Sequence, residues 1–230
     1  MNTHYHGPVT FFTQILAPAL WQGLIITVAL VALTAPLGLL LGTGLALGRQ
    51  YGGKVLSTAC AGYSVFFKGC PLILLLFILY FGLPTFGLTL PAFTAAVIGF
   101  ILCNAAYNSE YIRGAISSIK DGQMIAAQAL GMTRAQAIES IILPQAMRRA
   151  IPGLSNEFIY LIKYSSLAYM ITVIELTGAA KIVATKYFMY NESFIAVGIV
   201  YLALVTLTTY AVSLLEQRVA VPGTGAKNPI

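Results

Sequence analysis

Residues Leu20 to Leu47 read LWQGLIITVALVALTAPLGLLLGTGLAL, with no charged side chain in the run. A helix rises about 1.5 Å per residue, and a bilayer's hydrocarbon core is about 30 Å thick, so roughly twenty apolar residues suffice to cross it. The run is longer than that and predicts a first transmembrane helix. Trp21 stands where an interfacial aromatic anchor belongs. Gly38 and Gly42, four residues apart, leave one side of the helix open to close packing against a neighbour. Residues 1–17 read as a short lead lying at the interface.

Composition extends that reading to the whole chain. Of 230 residues, 58% are hydrophobic and 9% charged, whereas soluble domains carry about 25% charge. Most of the surface must therefore face lipid or other apolar protein. Further spans are expected at about 56–81, broken at Lys68-Gly69-Cys70-Pro71 because proline removes a backbone donor. Others are expected at about 92–116, 151–174 and 194–215. The expected fold class is thus an all-α membrane protein of about five transmembrane helices, with 1–230 a single transmembrane domain. Residues 175–192 read as a mixed loop.

Basic residues set the expected orientation. Arg49, Lys54, Lys120, Arg134, Arg148, Arg149, Arg218 and Lys227 fall on one side, and only Lys181 and Lys186 on the other. Positive loops stay inside, so the N-terminus is expected outside and the C-terminus in the cytoplasm. The net charge of +6 is spread over these loops without a basic helix or tail, which argues against nucleic-acid binding. Cys60, Cys70 and Cys103 lie scattered in apolar sequence and make neither a metal spacing nor a closed disulfide framework. His4 and His6 have no third ligand nearby, and no metal is expected. No basic region precedes the first apolar stretch, so no cleavable signal peptide is expected.

The most polar stretch, 117–150, is expected to be a cytoplasmic loop. Asp121 could cap a short helix, Gly131 could end it in the left-handed conformation, and Thr133 with Gln136 could open a second helix as a capping box. Leu143-Pro144 is expected to end that second helix. Small side chains at Ala126 and Ala127 suit insertion into a partner's cleft.

In the fourth span, helical spacing sets Asn156, Tyr160 and Lys163 on one face, with Glu157 and Tyr164 on the adjoining stripe. A charge at the bilayer centre costs about 2.5–3.5 kcal/mol on the insertion scale. These residues must therefore face the bundle, a wet cavity or a partner. As a substrate path, Lys163 would meet a carboxylate, while Tyr164, Ser165 and Ser166 would supply hydroxyls. Structural pairing of Glu157 and Lys163 with other spans is the alternative. Glu110 and Arg113 read as a structural pair.

The loop resembles the EAA loop of ABC importer permeases through Ala126-Ala127, Gly131 and Leu143-Pro144, with Ile125 where that family has its glutamate. Lys68-Gly69-Cys70-Pro71 is similar to the Arg-Gly-Thr-Pro segment of polar-amino-acid permeases. Asn104-Ala105-Ala106-Tyr107 through Glu110, Arg113 and Gly114 is similar to a second segment of that family. Pro152, Asn156-Glu157, Lys163-Tyr164-Ser165-Ser166-Leu167 and Glu175-Leu176 follow in the family's order. Tyr164 stands where the family often has Asp.

The resemblance implies a type I importer permease fold in the bacterial cytoplasmic membrane and transport of an amino acid. The implied partners are a cytoplasmic ABC ATPase dimer, a second permease subunit (the same or a homologous chain) and an extracytoplasmic solute-binding protein. Ala126, Ala127, Leu130 and Gly131 would couple to the ATPase. ATP and Mg would be bound there, because Gly223-Thr224-Gly225-Ala226-Lys227 lacks the spacing of a phosphate-binding loop. No cofactor is expected in this chain.

Other readings compete with that one. A membrane-embedded enzyme would need convergent His, Asp or Ser sets that the spans do not supply, so no enzymatic activity is expected. A secondary transporter is disfavoured by short length and by the lack of an internal repeat. A scaffold partner that binds no substrate itself, within a heteromeric permease pair, is compatible with the same sequence.

Overall fold

The computed structural model describes residues 7–219. His4, His6, Lys227 and the 223–227 segment lie outside the described residues.

The described chain is helical. A short helix α1 (Pro8–Thr10) and a π-turn (Phe11–Leu16) lead into α2 (Ala17–Tyr51). The expected interfacial lead is therefore helical from Pro8, and Phe11 and Leu16 are buried at 3% and 1% exposure. They pack with Leu20, Leu176, Ala180, Val183 and Val197, because two large apolar side chains gain more from a core than from an interface.

Next come α3 (Lys54–Gly69) and α4 (Leu72–Phe77), the latter continued by π and 3-10 turns to Phe86. The two pieces are bent by 99° at the break, as in a broken span or a re-entrant loop. Pro71 sits at that break with φ −57° and ψ 127°, where the fixed proline φ suits extended chain rather than helix. The third expected span is α5 (Ala92–Ser117).

The loop helices are α6 (Gly122–Ala129) and α7 (Arg134–Ala137), and a π-turn (Ile138–Ile142) carries the chain straight into α8 (Leu143–Tyr164). Pro144 does not end a helix as expected. It lies in the first turn of α8, just after the π-turn, where local π geometry accommodates the missing donor. The helix beginning at Arg134 runs without interruption through the 3-10 segment to Ile171.

Residues 175–192 are not a loop. They hold α9 (Leu176–Tyr187), and α10 (Tyr190–Val219) follows. Among the described residues three helices are long and apolar enough to cross a membrane alone, and the count rises to five if each of two bent pairs is one span.

The chain divides into two compact units. One gathers the chain up to Leu37, Cys70–Leu102 and Ile159–Thr208. Its buried cluster is the one around Phe11, Leu176 and Val197. The other holds Gly38–Gly69, Cys103–Phe158 and the chain from Thr209. Ala46, Ile112, Ile116, Ile119, Ile142, Ala146 and Ala150 are buried together in it.

Within that second unit the expected close packing at Gly38 and Gly42 is made against α5. A Cβ on Gly38 would run into the Asn104 side chain, and one on Gly42 would lie 2.8 Å from Asn108 Cβ and 2.9 Å from the Ala105 carbonyl oxygen. Two glycines four apart thus admit two asparagines four apart, which no side chain at either position would allow.

Candidate functional site

Along α8 the exposed positions are Pro144, Arg148, Pro152, Asn156, Tyr160 and Lys163, recurring every third or fourth residue. That spacing draws one continuous stripe along a helix, and it is polar. Pro152 has no N–H to give the Arg148 carbonyl, so the helix's own backbone pairing is interrupted on the same stripe. Exposed backbone and charge of this kind are not stable against lipid tails.

The upper end of the stripe is ordered by aromatic contacts. Lys163 Nζ lies 4.5 Å from the Tyr160 ring centroid. The Tyr160 and Tyr164 rings stack at 5.9 Å with 10° between their planes. The ammonium is thus held over a π face, with no ion pair among the described residues, which leaves N–H donors for an anion. Asn156, Tyr160 and Lys163 share a face as the spacing predicts.

Three other expected path residues are placed differently. Glu157 is 2% exposed and points inward, where Asn104 Nδ2 donates to its Oε1 at 3.3 Å. Asn108 Nδ2 in turn donates to Asn104 Oδ1 at 2.8 Å. Glu157 and Lys163 make no ion pair with each other, since the ion pairs among the described residues all converge on Glu110. Ser165 is fully buried, and its hydroxyl donates to the Ile162 carbonyl at 2.7 Å. The Ser166 hydroxyl donates to the Lys163 carbonyl at 2.7 Å. Both serines therefore spend their protons on the tightening of α8 into a 3-10 turn.

The loop knob has the geometry its turn chemistry predicts. Gly131 adopts φ +86°. Its N–H donates to the Gln128 carbonyl, and the Met132 N–H donates to the Ala127 carbonyl. Those two bonds make a Schellman ending for α6. Thr133 and Gln136 close the capping box. Asp121 sits at the start of α6 but its side chain makes no cap, because that residue is itself in helical conformation.

Ala127 is 1% exposed and faces inward, so it packs the knob and cannot reach a partner. Ala126 is exposed, as expected. So are Ile125 and Leu130, at 65% and 84%. A one-residue shift of phase along a helix separates Ala126 from Ala127, and the sequence alone did not fix it.

Two arrangements were not expected. The Glu110–Arg113 pair is enlarged by Arg49 and Lys68, which converge on the same carboxylate. Glu175 caps α9, accepting from the Thr177 and Gly178 N–H groups at 2.9 Å each and from the Tyr201 hydroxyl at 2.9 Å. The only hint of the cap was an acid ahead of a small-residue run.

Residues 35–221 match the family described as the binding-protein-dependent transport system inner membrane component. YckA of Bacillus subtilis, a probable amino-acid ABC transporter permease protein, is 42% identical over 183 residues, covering 80% of this chain and 81% of YckA. The arginine transport system permease protein ArtQ of the same organism is 35% identical over 202 residues, covering 87% of this chain and 92% of ArtQ. A chain in the crystal structure of an amino acid ABC transporter with histidines superposes with TM-score 0.83 at 32% identity, covering 95% of this chain and all of that one. With an all-helical order of three to five candidate spans and these matches in agreement, the chain belongs to the binding-protein-dependent transport system inner membrane component family: it is a multi-pass permease subunit of an ABC importer with the type I fold.

Proposed function

We propose that this subunit passes an amino acid across the cytoplasmic membrane and that the exposed face of α8 lines the path. The observation that carries the reading is the stripe itself: a transmembrane helix with polar residues and an interrupted backbone pairing on its exposed side needs water, substrate or a partner there. Lys163 would meet the substrate carboxylate, Tyr160 and Tyr164 would hold that ammonium in place, and Asn156 would offer an amide further along. Glu157, Ser165 and Ser166 would shape the helix from behind. The amino-acid class is supported by the relatives, a probable amino-acid permease and an arginine permease.

The remaining assignments follow from family membership. A second permease subunit would complete the path. A solute-binding protein would deliver substrate on the outer side. A cytoplasmic ATPase dimer, holding ATP and Mg, would receive the knob at Ile125, Ala126, Leu130 and Gly131. The charge asymmetry of the loops supports a cytoplasmic knob and C-terminus.

Uptake and melting temperature measured on the same reconstituted Lys163→Met transporter test the path. Because Lys163 is exposed and carries no ion pair among the described residues, Tm should stay put, as for surface changes generally. Uptake should fall about ten- to hundredfold, the worth of a hydrogen bond between charged groups. Unchanged uptake would end the reading. A clear loss of Tm would mean that Lys163 pairs with an acid of the assembled complex instead.

A further inference from the structure

Arg49, Lys68 and Arg113 come from three different helices and meet on one carboxylate. Glu110 Oε1 takes Arg49 Nη1 at 2.6 Å and Lys68 Nζ at 3.1 Å. Glu110 Oε2 takes Arg113 Nε at 3.1 Å and Nη2 at 2.9 Å. Three cations against one carboxylate leave two positive charges unmatched. No other acid among the described residues is within ion-pair distance of them.

The cluster is reachable: its side chains are 22–34% exposed. The second Arg49 Nη, Arg113 Nη1 and two of the Lys68 hydrogens have no acceptor among the described residues. A guanidinium presents its donors as a planar fork that fits a two-oxygen acceptor.

Depth and surroundings narrow the ligand. Glu110 lies eighteen residues after Ala92, the first residue of α5, or about 27 Å along the axis. That is close to the thickness of the hydrocarbon core, so the cluster sits at its edge, on the side of the basic loops. Val65 and Phe66, on α3 just before Lys68, are 67% and 63% exposed. Val65 shares the Lys68 side of the helix at i−3. Open cationic donors at the edge of the hydrocarbon, with exposed apolar side chains beside them, match a molecule that has an oxyanion head and an acyl tail.

We infer that Arg49, Lys68 and Arg113 form a binding site for the phosphate of an anionic phospholipid in the inner leaflet, with Glu110 offsetting one of their three charges. The inference rests on the chain's place in a membrane and not on the α8 path, so each can fail without the other.

The test uses the assembled transporter in nanodiscs of phosphatidylcholine with a minority of phosphatidylglycerol. Retained lipid is identified by native mass spectrometry after detergent extraction. The wild type should retain phosphatidylglycerol in preference to phosphatidylcholine. Lys68→Met leaves Glu110 paired to both arginines, and its preference should fall about fivefold, the worth of one cation near an anionic surface. Glu110→Gln removes the competing carboxylate and should hold the preference or raise it.

Equal retention by wild type and Lys68→Met would overturn the site, as would loss of retention in Glu110→Gln. Displacement of the lipid by millimolar inorganic phosphate or by free amino acid would assign the cations to a soluble oxyanion and overturn the lipid. Should Lys68→Met fail to fold, Arg113→Gln takes its place with the same expected loss.

Discussion

Glu175 and Glu157 are almost equally buried, at 0% and 2% exposure, and are provided for in opposite ways. Glu175 accepts from two backbone N–H groups and the Tyr201 hydroxyl, and Tyr201 in turn accepts from the Thr177 hydroxyl. Next to it, the Leu176 N–H donates to Thr27 Oγ1. A Cβ on Gly23 would lie 2.8 Å from the Leu176 Cα, so α2 is pressed onto the same helix start. Glu157 has one side-chain amide at 3.3 Å. A buried polar group costs free energy unless hydrogen bonds replace its water. The first acid is thus a fastener in which the fold has invested fully. The second is held loosely, one turn from an exposed polar stripe.

Removing the fastener should do the most damage. Glu175→Ala strips the cap from α9 and leaves two N–H groups and a buried tyrosine hydroxyl without an acceptor. At about 1–3 kcal/mol for each stranded group, discounted because some will relax or find water, the loss should be about 3–5 kcal/mol. A fall in Tm of the purified complex, with uptake lost in proportion to the folded fraction, is the expected pattern. A stable Glu175→Ala protein with defective uptake would erase the contrast between the two acids.

The loose acid is tested first through its donor. Asn104→Ala removes the amide that serves Glu157 and the carbonyl that serves Asn108. It also opens a small space beside Gly38. The cost should be about 2 kcal/mol, one stranded buried group plus a partial cavity. Gly38→Ala added to Asn104→Ala should recover part of that Tm loss by filling the space, while Gly38→Ala alone should destabilise. Equal damage from Gly38→Ala in both backgrounds would show that the two helices do not meet there.

The same contrast explains what could be read in advance. Spans were legible because lipid forbids charge and unpaired backbone, which leaves long uncharged runs such as 20–47. The break at Pro71 and the turn at Gly131 were legible because each depends on one residue's own backbone chemistry. Helix α9 was hidden because its cap is a glutamate, a residue with many other uses, and the partners that complete its start, Thr27 and Tyr201, are distant in sequence. Pro144 misled because the π-turn before it is a tertiary accommodation with no local signature. In the candidate site, the stripe of Asn156, Tyr160 and Lys163 followed from spacing alone. Which neighbours face inward did not: Ala127 and Glu157 each sit one position from an exposed residue and Ser165 two from one, and the packing of other helices decides between them.

The smallest effect should come from changing Glu157 itself. Glutamine has the same shape, keeps an oxygen for Asn104 Nδ2 and carries no charge. If the single 3.3 Å contact is all that the fold offers this group, Glu157→Gln should shift stability by no more than about 0.5 kcal/mol, and any shift should be upward because a buried charge without a cation is unfavourable. Uptake should stay within a few-fold of wild type, since the side chain faces α5 and not the stripe. Two results would break the comparison. A drop in Tm confined to the assembled complex would mean that a cation of the second permease subunit reaches Glu157, which would make it a fastener after all. A large loss of uptake at unchanged Tm would mean that its charge acts on the path through the helix turn it shares with Asn156 and Tyr160. Pairing Glu157→Gln with Lys163→Met separates that case from direct contact. Independent effects on uptake multiply, whereas two charges that act on one substrate give less than the product.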